Sequence, residues 1–284
     1  MKDSKKLAQP FFKWVGGKRQ IADIILDEFP GEIENYYEPF VGGGAMLFRV
    51  LQEYPNLDHV WINDSNSDVV WAYSYVRDTI DKLIDALKEI EKEYNSSEDK
   101  QGFYYKRRTE FNELIREDKH NLRRTVLFLF LNKTCFNGMY RVNRHGNFNT
   151  PYNYAKEVKF DYENLRVCSN LLQKVTITYG DYSDALPKEN ALVYLDPPYR
   201  PLSGAGEIGY TVDGFDDEEQ VRLRNNIDKI KYICKVVLSN SDTKDGFFDD
   251  LYNGYNIQRI QARRNINRDG NGREKIDELL IKNF

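Results

Sequence analysis

Apolar positions along this chain change their period twice. Short apolar runs at 36–40, 59–63, Val175–Tyr179, Ala191–Leu195, 236–239 and 278–282 have the length and the β-branched or aromatic content of strands. Helical spacing fills the intervals near the N-terminus. Ile21, Ile24, Ile25 and Phe29 form one stripe across 18–28, and a helix restarts over 45–51 behind a glycine loop. From 66 to about 175 the character differs: long charged helical patterns at 69–76, 80–94 and 103–117 precede the apolar stretch 125–131. This alternation predicts an α/β, doubly wound domain built from 1–65 and 176–284, interrupted by a mostly helical insertion at 66–175. Neither an internal repeat nor a low-complexity tract is present.

At 284 residues the chain can hold a full core, as one large domain with an insertion or as two domains. No apolar run approaches the roughly 20 residues of a membrane span. The polar start Met1-Lys2-Asp3-Ser4-Lys5-Lys6 does not resemble a secretory signal. Cys135, Cys168 and Cys234 are scattered, odd in number and without metal-ligand spacing, so neither disulfides nor a metal site are expected. These features predict a soluble cytoplasmic protein. Net charge is −4, yet residues 101–170 hold 13 Lys/Arg against 7 Asp/Glu, which leaves −10 for the remainder. A basic block in an acidic chain is the footprint of a nucleic-acid-binding part, although a solvated helical face would carry the same charge.

The strand at 191–195 runs into Asp196-Pro197-Pro198-Tyr199. Two prolines supply no ladder donor, so the chain must leave the sheet there, at the strand end where open α/β sheets bind ligands. Asp196 and the Pro197 carbonyl can both accept hydrogen bonds, and Tyr199 offers a flat face. Two acceptors beside an aromatic plate suit a planar ring bearing an amino group, such as adenine; the plainer alternative is a turn with a packed tyrosine. A second loop, Glu38-Pro39-Phe40-Val41-Gly42-Gly43-Gly44-Ala45-Met46-Leu47, lets backbone approach a ligand ahead of a helix N-terminus. Asp64 follows Gly44 by 20 residues, where an acid can accept from ribose hydroxyls. A dinucleotide fold would also meet this description, but Leu47 replaces the third glycine of its fingerprint, and a nucleoside without phosphates fits better.

Phe11-Phe12-Lys13-Trp14-Val15-Gly16-Gly17-Lys18-Arg19 combines aromatics, glycines and cations directly before a helix. Trp14 could cover an apolar or sulfonium group and Lys18 could meet a carboxylate, or the segment could be a terminal strand tied down by its rings. Residues 140–149 read as a hairpin turning near His145-Gly146, rich in Arg, Asn and Tyr and poor in aliphatic side chains. Arginine reads guanine bidentately and asparagine reads adenine in the major groove, which favours a base-reading ribbon over a structural one.

In order along the chain, Trp-x-Gly-Gly-Lys (14–18), Glu-Pro-Phe-x-Gly-Gly-Gly (38–44), Asn-Asp (63–64) and Phe-Asn-Gly-x-Tyr-Arg-x-Asn (136–143) are followed by four further motifs. These are Gly-Asp (180–181), Asp-Pro-Pro-Tyr (196–199), Leu-Ser-Asn-Ser (238–241) and Glu-Leu-Leu-Ile-Lys-Asn (278–283). The set resembles the Dam-like family of adenine-specific DNA methyltransferases, including the methylases of DpnII-type restriction systems. The resemblance implies a Rossmann-like methyltransferase domain with a DNA-recognition insertion, S-adenosylmethionine as donor, and the 6-amino group of a flipped adenine in double-stranded DNA as acceptor. It implies a donor site at Trp14, Lys18, Phe40, Gly42, Gly44, Asp64, Asp181 and Asp196, and chemistry at Asp196, Pro197, Pro198 and Tyr199. Lys13, Phe136, Asn137, Arg141, Asn143 and Pro151 would face DNA, with Arg141 reading a guanine of GATC.

The resemblance further implies direct in-line transfer without a covalent intermediate, since no cysteine lies in a nucleophile motif. Other amino methyltransferases, acting on cytosine, RNA or a protein glutamine, are the nearest rivals, followed by a catalytically silent DNA-binding regulator and a nicotinamide dehydrogenase. Residues 201–215 could close over the base and 263–273 could order on the DNA backbone; both could equally be passive connections.

Overall fold

The apolar run at 191–195 is buried at all five positions, as expected of a strand covered on both faces. The computed structural model describes residues 7–184, 187–200, 215–262 and 276–284. Among them are β1 (Asn35–Glu38), β2 (His59–Asp64), β3 (Val175–Tyr179), β4 (Ala191–Leu195), β5 (Lys235–Ser241), β6 (Asn256–Ala262) and β7 (Ile276–Lys282). They form one sheet in the order β3-β2-β1-β4-β5-β7-β6, with β7 antiparallel to both neighbours and the other pairs parallel. The chain works outward from β1 to β3, then returns to lay β4 against the other side of β1. The order therefore reverses between β1 and β4, and their carboxyl ends open on a common crevice.

The period of two along β1 and β4 sends side chains into two cores. Tyr36, Leu192 and Tyr194 join one cluster, while Tyr37, Val193 and Leu195 join the other. The helices are α1 (Ala22–Asp27), α2 (Ala45–Glu53), α3 (Ser67–Asp78), α4 (Ile80–Ser96), α5 (Lys100–Arg116), α6 (Leu122–Thr134), α7 (Tyr162–Leu172), α8 (Asp217–Ile230) and α9 (Phe247–Leu251). Five start on an Asn or Asp whose side chain accepts from a free helix amide: Asn66, Asp99, Asn121, Asp161 and Asp216. Each such cap is worth about 1 kcal/mol. Helix α6 is buried all round from Arg124 to Asn132, and α3, α4 and α5 pack about it. Helix α3 also packs on β2 and β3 and against α7, so it serves as a wall shared by the sheet and the helical part.

A buried ion pair fastens that wall. Arg124 Nε lies 2.7 Å from Asp68 Oδ1, and the Tyr140 hydroxyl donates to Asp68 Oδ2 at 3.0 Å. The Tyr140 ring rests on Trp14, with centroids 5.6 Å apart.

Several elements differ from the hydrophobic pattern. The single helix expected over 18–28 is a 3-10 turn (Lys18–Gln20) followed by α1, because Lys18 turns inward to bond the Gly16 carbonyl and Asp196. Helix α8 shows little pattern because it buries only Gln220, Leu223 and Ile227. Strand β6, Asn-Ile-Gln-Arg-Ile-Gln-Ala, is a polar edge strand paired with β7 alone. Residues 11–19 form no strand. Residues 201–214 of the segment expected to close over the base, and all of 263–273, expected to order on the DNA backbone, lie outside the described residues.

Candidate active site

Two loops meet where the strand order reverses. Residues 39–44 leave β1 and Asp196-Pro197-Pro198-Tyr199 leave β4, its neighbour in the sheet. The Asp196 carboxylate is gripped by Lys18, whose Nζ lies 2.6 Å from Oδ1 and 2.8 Å from Oδ2 and donates to the Gly16 carbonyl at 2.7 Å. The same ammonium sits 4.5 Å from the centroid of the Tyr199 ring. Lys18 is 3% exposed and Asp196 19%. Burial pushes the Asp196 pKa up to about 6; Lys18 opposes that rise and the nearby Glu278 adds to it. Deeper in β1, Glu38 accepts from the Tyr36 hydroxyl at 2.8 Å, and burial lifts its pKa well above the carboxylate range.

The glycine loop is shaped by two aromatic side chains. A Cβ on Gly42 (φ +46) would lie 2.6 Å from Trp14 Cδ1, and one on Gly44 (φ +73) would overlap the Tyr73 hydroxyl. That hydroxyl donates to the Gly42 carbonyl at 3.0 Å, so α3 holds the loop from below. Asp64 braces it from β2, accepting from Gly42 N at 2.9 Å and Asn66 N at 2.8 Å. Burial raises Asp64 to about 6 against the pull of those two amides. Asn63 laces three strand ends together, donating to Pro39 O at 3.3 Å and Gly180 O at 2.9 Å while accepting from Thr178 Oγ1 at 3.0 Å.

Beyond β3, Asp181 pairs with Arg222 of α8 at 2.7 Å, which holds its pKa down at about 2. Phe40 stacks on Tyr182 with centroids 4.9 Å apart, and Phe215 packs on both rings. Trp14, Lys18, Phe40, Gly42, Gly44, Asp64, Asp181 and Asp196 thus gather along the carboxyl ends of β1 to β4 and the segment packed against them.

Residues 14–266 match the D12 class N6 adenine-specific DNA methyltransferase family. The chain belongs to this family. It is 43% identical to a type II methyltransferase of Methanocaldococcus jannaschii, over 97% of this chain and 99% of that one. A type II methyltransferase of Lactococcus lactis subsp. cremoris is 33% identical over 97% of this chain and 95% of its own. A DNA adenine methylase of Escherichia coli K12 is 31% identical, again over 97% and 95%. The protein is therefore an adenine-specific DNA methyltransferase.

On the methyltransferase's other flank, α5 carries the hairpin. Asn112 exchanges two hydrogen bonds with the Phe148 backbone (2.8 and 3.0 Å), Tyr104 donates to Thr150 O at 2.7 Å, and Arg108 reaches the same carbonyl at 3.2 Å. Val142 pairs with Phe148 in an isolated antiparallel bridge, so 140–149 turns back on itself as expected, without a continuous two-stranded ladder. Phe136 is 48% exposed, and its amide donates to the Pro151 carbonyl at 2.8 Å. Asn137 beside it adopts φ +56, a region asparagine tolerates better than most residues. Arg141 Nε donates to Asn149 Oδ1 at 2.7 Å, so the guanidinium is aimed by a neighbour. Asn143 caps the hairpin tip, its Oδ1 accepting from His145 N at 2.9 Å and Asn147 N at 3.2 Å. Lys13 is moored through its backbone to the Asn132 carboxamide, at 2.8 Å each way.

The basic block is less free than its composition suggests. Arg107 and Arg123 pair with Glu110, Arg124 with Asp68 and Arg166 with Asp81. Arg116, Arg141 and Arg144 have no carboxylate partner among the described residues. Residues that sequence reasoning missed include Tyr73, Arg222, Asp68 and Arg124. Glu278 had a signal, since it opens a singled-out motif, but nothing local indicated its partner.

A pH dependence follows from the raised carboxyls. Protonation would turn one oxygen of Asp196 or Asp64 from an acceptor into a donor, and burial raises both pKa values to about 6. With both groups required, we expect kcat/KM for DNA to fall below that point with a limiting slope of about a hundredfold per pH unit, or about tenfold if one carboxylate alone matters, since kcat/KM reports free-enzyme groups. An acid limb below pH 4.5 would contradict it. The stability contribution of these two groups has the opposite sense to that of an aspartate whose pKa is lowered, because burial outweighs Lys18 at Asp196 and the two amides at Asp64. With folded pKa values above the unfolded one, they favour folding in acid, and that contribution is lost as pH rises through about 6.

Proposed function

We propose that this methyltransferase moves the methyl group of S-adenosylmethionine to an adenine flipped out of duplex DNA, within GATC. One observation carries the reading: the Lys18 ammonium, an N–H donor, lies against both Asp196 oxygens and 4.5 Å from the Tyr199 ring centroid. An exocyclic amino group on a ring stacked over Tyr199 would meet the same acceptors.

The residues present fit the donor. The glycine loop between β1 and the N-terminus of α2, held by Tyr73 and Asp64, suits its amino-acid end, Asp64 can accept from ribose hydroxyls, and Phe40 with Tyr182 offers an aromatic wall near Asp181 for its adenine. Trp14 and Lys18 border this site. When bound, the donor supplies an electrophilic methyl group on a sulfonium.

The protein's own work is positioning and electrostatics. Extruding the base costs a few kcal/mol, and stacking on Tyr199 returns roughly 1–3 kcal/mol. Asp196 and the Pro197 carbonyl accept the two amino hydrogens, which draws the nitrogen toward a pyramidal, nucleophilic shape. Attack is direct, and the cysteines take no part: burial lifts all three thiols above their ordinary range. The helical part from α4 to the hairpin presents Phe136, Asn137, Arg141 and Pro151 to the duplex, with Lys13 beside them. A DNA substrate is consistent with work in the cytoplasm, and among the described residues no helix is long and apolar enough to cross a membrane.

The test is labelled-methyl transfer from S-adenosylmethionine to three duplexes: GATC, the same site with its adenines already methylated, and a scrambled site. Incorporation into the first alone is expected. Incorporation into all three would keep the chemistry and reject GATC; none into any would reject the reading. Arg141→Ala should lower discrimination against a mismatched guanine position by about 1–3 kcal/mol while donor affinity persists.

A further inference from the structure

The motif that opens at Glu278 has no part in the reading above, yet its first residue reaches the catalytic turn. Glu278 lies on β7, 7% exposed, in register with Ser241 of β5 on one side and Ile260 of β6 on the other. A strand paired on both edges is a rigid base for a side chain. The Tyr199 hydroxyl donates to Glu278 Oε2. We propose that Glu278 is a positioning residue for methyl transfer, fixing through that bond the plane of the ring on which the target base stacks. This rests on the reading that Tyr199 receives the flipped adenine.

Three considerations support the assignment. Stacking needs a ring face and no hydroxyl, so a phenylalanine would serve as the plate alone. The hydroxyl here is instead bonded to a buried carboxylate on β7. A second carboxylate so close to Asp196 is also costly to bury, and an apolar residue would pack β7 more cheaply. Its presence beside Asp196, bonded to the Tyr199 hydroxyl, points to orientation. Finally, the backbone after Tyr199 is clamped independently. Arg200 pairs with Asp217 at 2.6 Å and with Asp245, lies 4.3 Å from the Phe247 centroid, and its carbonyl accepts from Ser241 Oγ at 3.2 Å. With proline on one side and this clamp on the other, the ring's own torsions are what remains to be set, and Glu278 sets them.

The experiment uses the full chain with a duplex carrying 2-aminopurine at the target position and S-adenosylhomocysteine bound, alongside single-turnover methylation of an ordinary duplex. Glu278→Ala and Tyr199→Phe should each slow transfer about 10–100-fold, the range associated with misplacing a reacting group by about 1 Å. The KM for DNA should change less than about twofold, because the lost interaction orients the base without adding to duplex binding. The double variant should be no slower than either single one, and Glu278→Gln, which retains an acceptor, should regain most of the rate. The flipped 2-aminopurine should be brighter in Glu278→Ala and Tyr199→Phe, as looser stacking quenches it less. Multiplicative rate losses, or normal quenching in both variants, would overturn the proposal. If Glu278→Ala does not fold, Tyr199→Phe and Glu278→Gln decide it alone. A wild-type complex with no fluorescence change would instead remove Tyr199 as the receiving plate, and the proposal with it.

Discussion

Asp196→Ala is expected to reduce single-turnover methyl transfer about 10³-fold or more, in the range seen when one preorganised hydrogen-bonding group is removed from a reacting centre. The effect should be this large because no other acceptor can take its place. Asp196 is the turn's one carboxylate, the Pro198 carbonyl already accepts from Gln220, and Glu278 is engaged with the Tyr199 hydroxyl. Without Asp196 the amino nitrogen keeps its lone pair in the ring. The vacated space would also leave the Lys18 ammonium with Gly16 O as its remaining bonded partner among the described residues. Asp196→Asn, close in shape, would keep one acceptor oxygen and lose the charge, so it should fall between the two. The measurement is the rate of label transfer at saturating donor and duplex, with donor affinity checked separately. A variant within tenfold of the parent would remove Asp196 from the chemistry.

The second large effect concerns stability. Asp68→Ala should lower unfolding free energy by about 3–5 kcal/mol, the usual result of removing one partner of a buried ion pair. Arg124 and Asp68 have side chains 6% and 3% exposed, and Arg124 Nη1 already lacks a partner. Losing Asp68 would leave the buried guanidinium with a long 3.5 Å bond from Nη2 to Ser67 Oγ and release the Tyr140 hydroxyl. Replacing both charged residues with leucine and methionine should cost much less, since the pair's own net contribution is small. Urea unfolding of the single and double variants separates these cases. A loss under about 1 kcal/mol for Asp68→Ala would mean that water reaches Arg124.

Much of this molecule follows from short stretches of its chain. The run at 191–195 had to be a doubly covered strand, because five buried apolar residues in succession have no solvated face. The prolines at 197 and 198 had to end it, the glycines at 42 and 44 had to make a tight approach, and 140–149 had to turn back on itself. Motif order then named the chemistry. These are local matters: side-chain period, missing donors, absent Cβ atoms and turn residues act over a few residues and need no fold to express them.

Other features depend on which strands become neighbours. Lys18 and Asp196 are 178 residues apart, and Tyr199 and Glu278 are 79 apart. Both pairs meet only because the sheet reverses between β1 and β4 and inserts β7 beside β5. The basic block likewise read as free charge until folding paired Arg107, Arg123, Arg124 and Arg166 with acids. The hairpin tip also gives the Asn143 carboxamide oxygen a capping role that its residue type did not announce. Burial is a property of the packed chain, and it raises Asp64 and Asp196 to about 6. Residue types and spacing therefore carried the identity of the chemistry. Long-range pairing and desolvation decided which groups touch, which charges remain available, and at what pH they work.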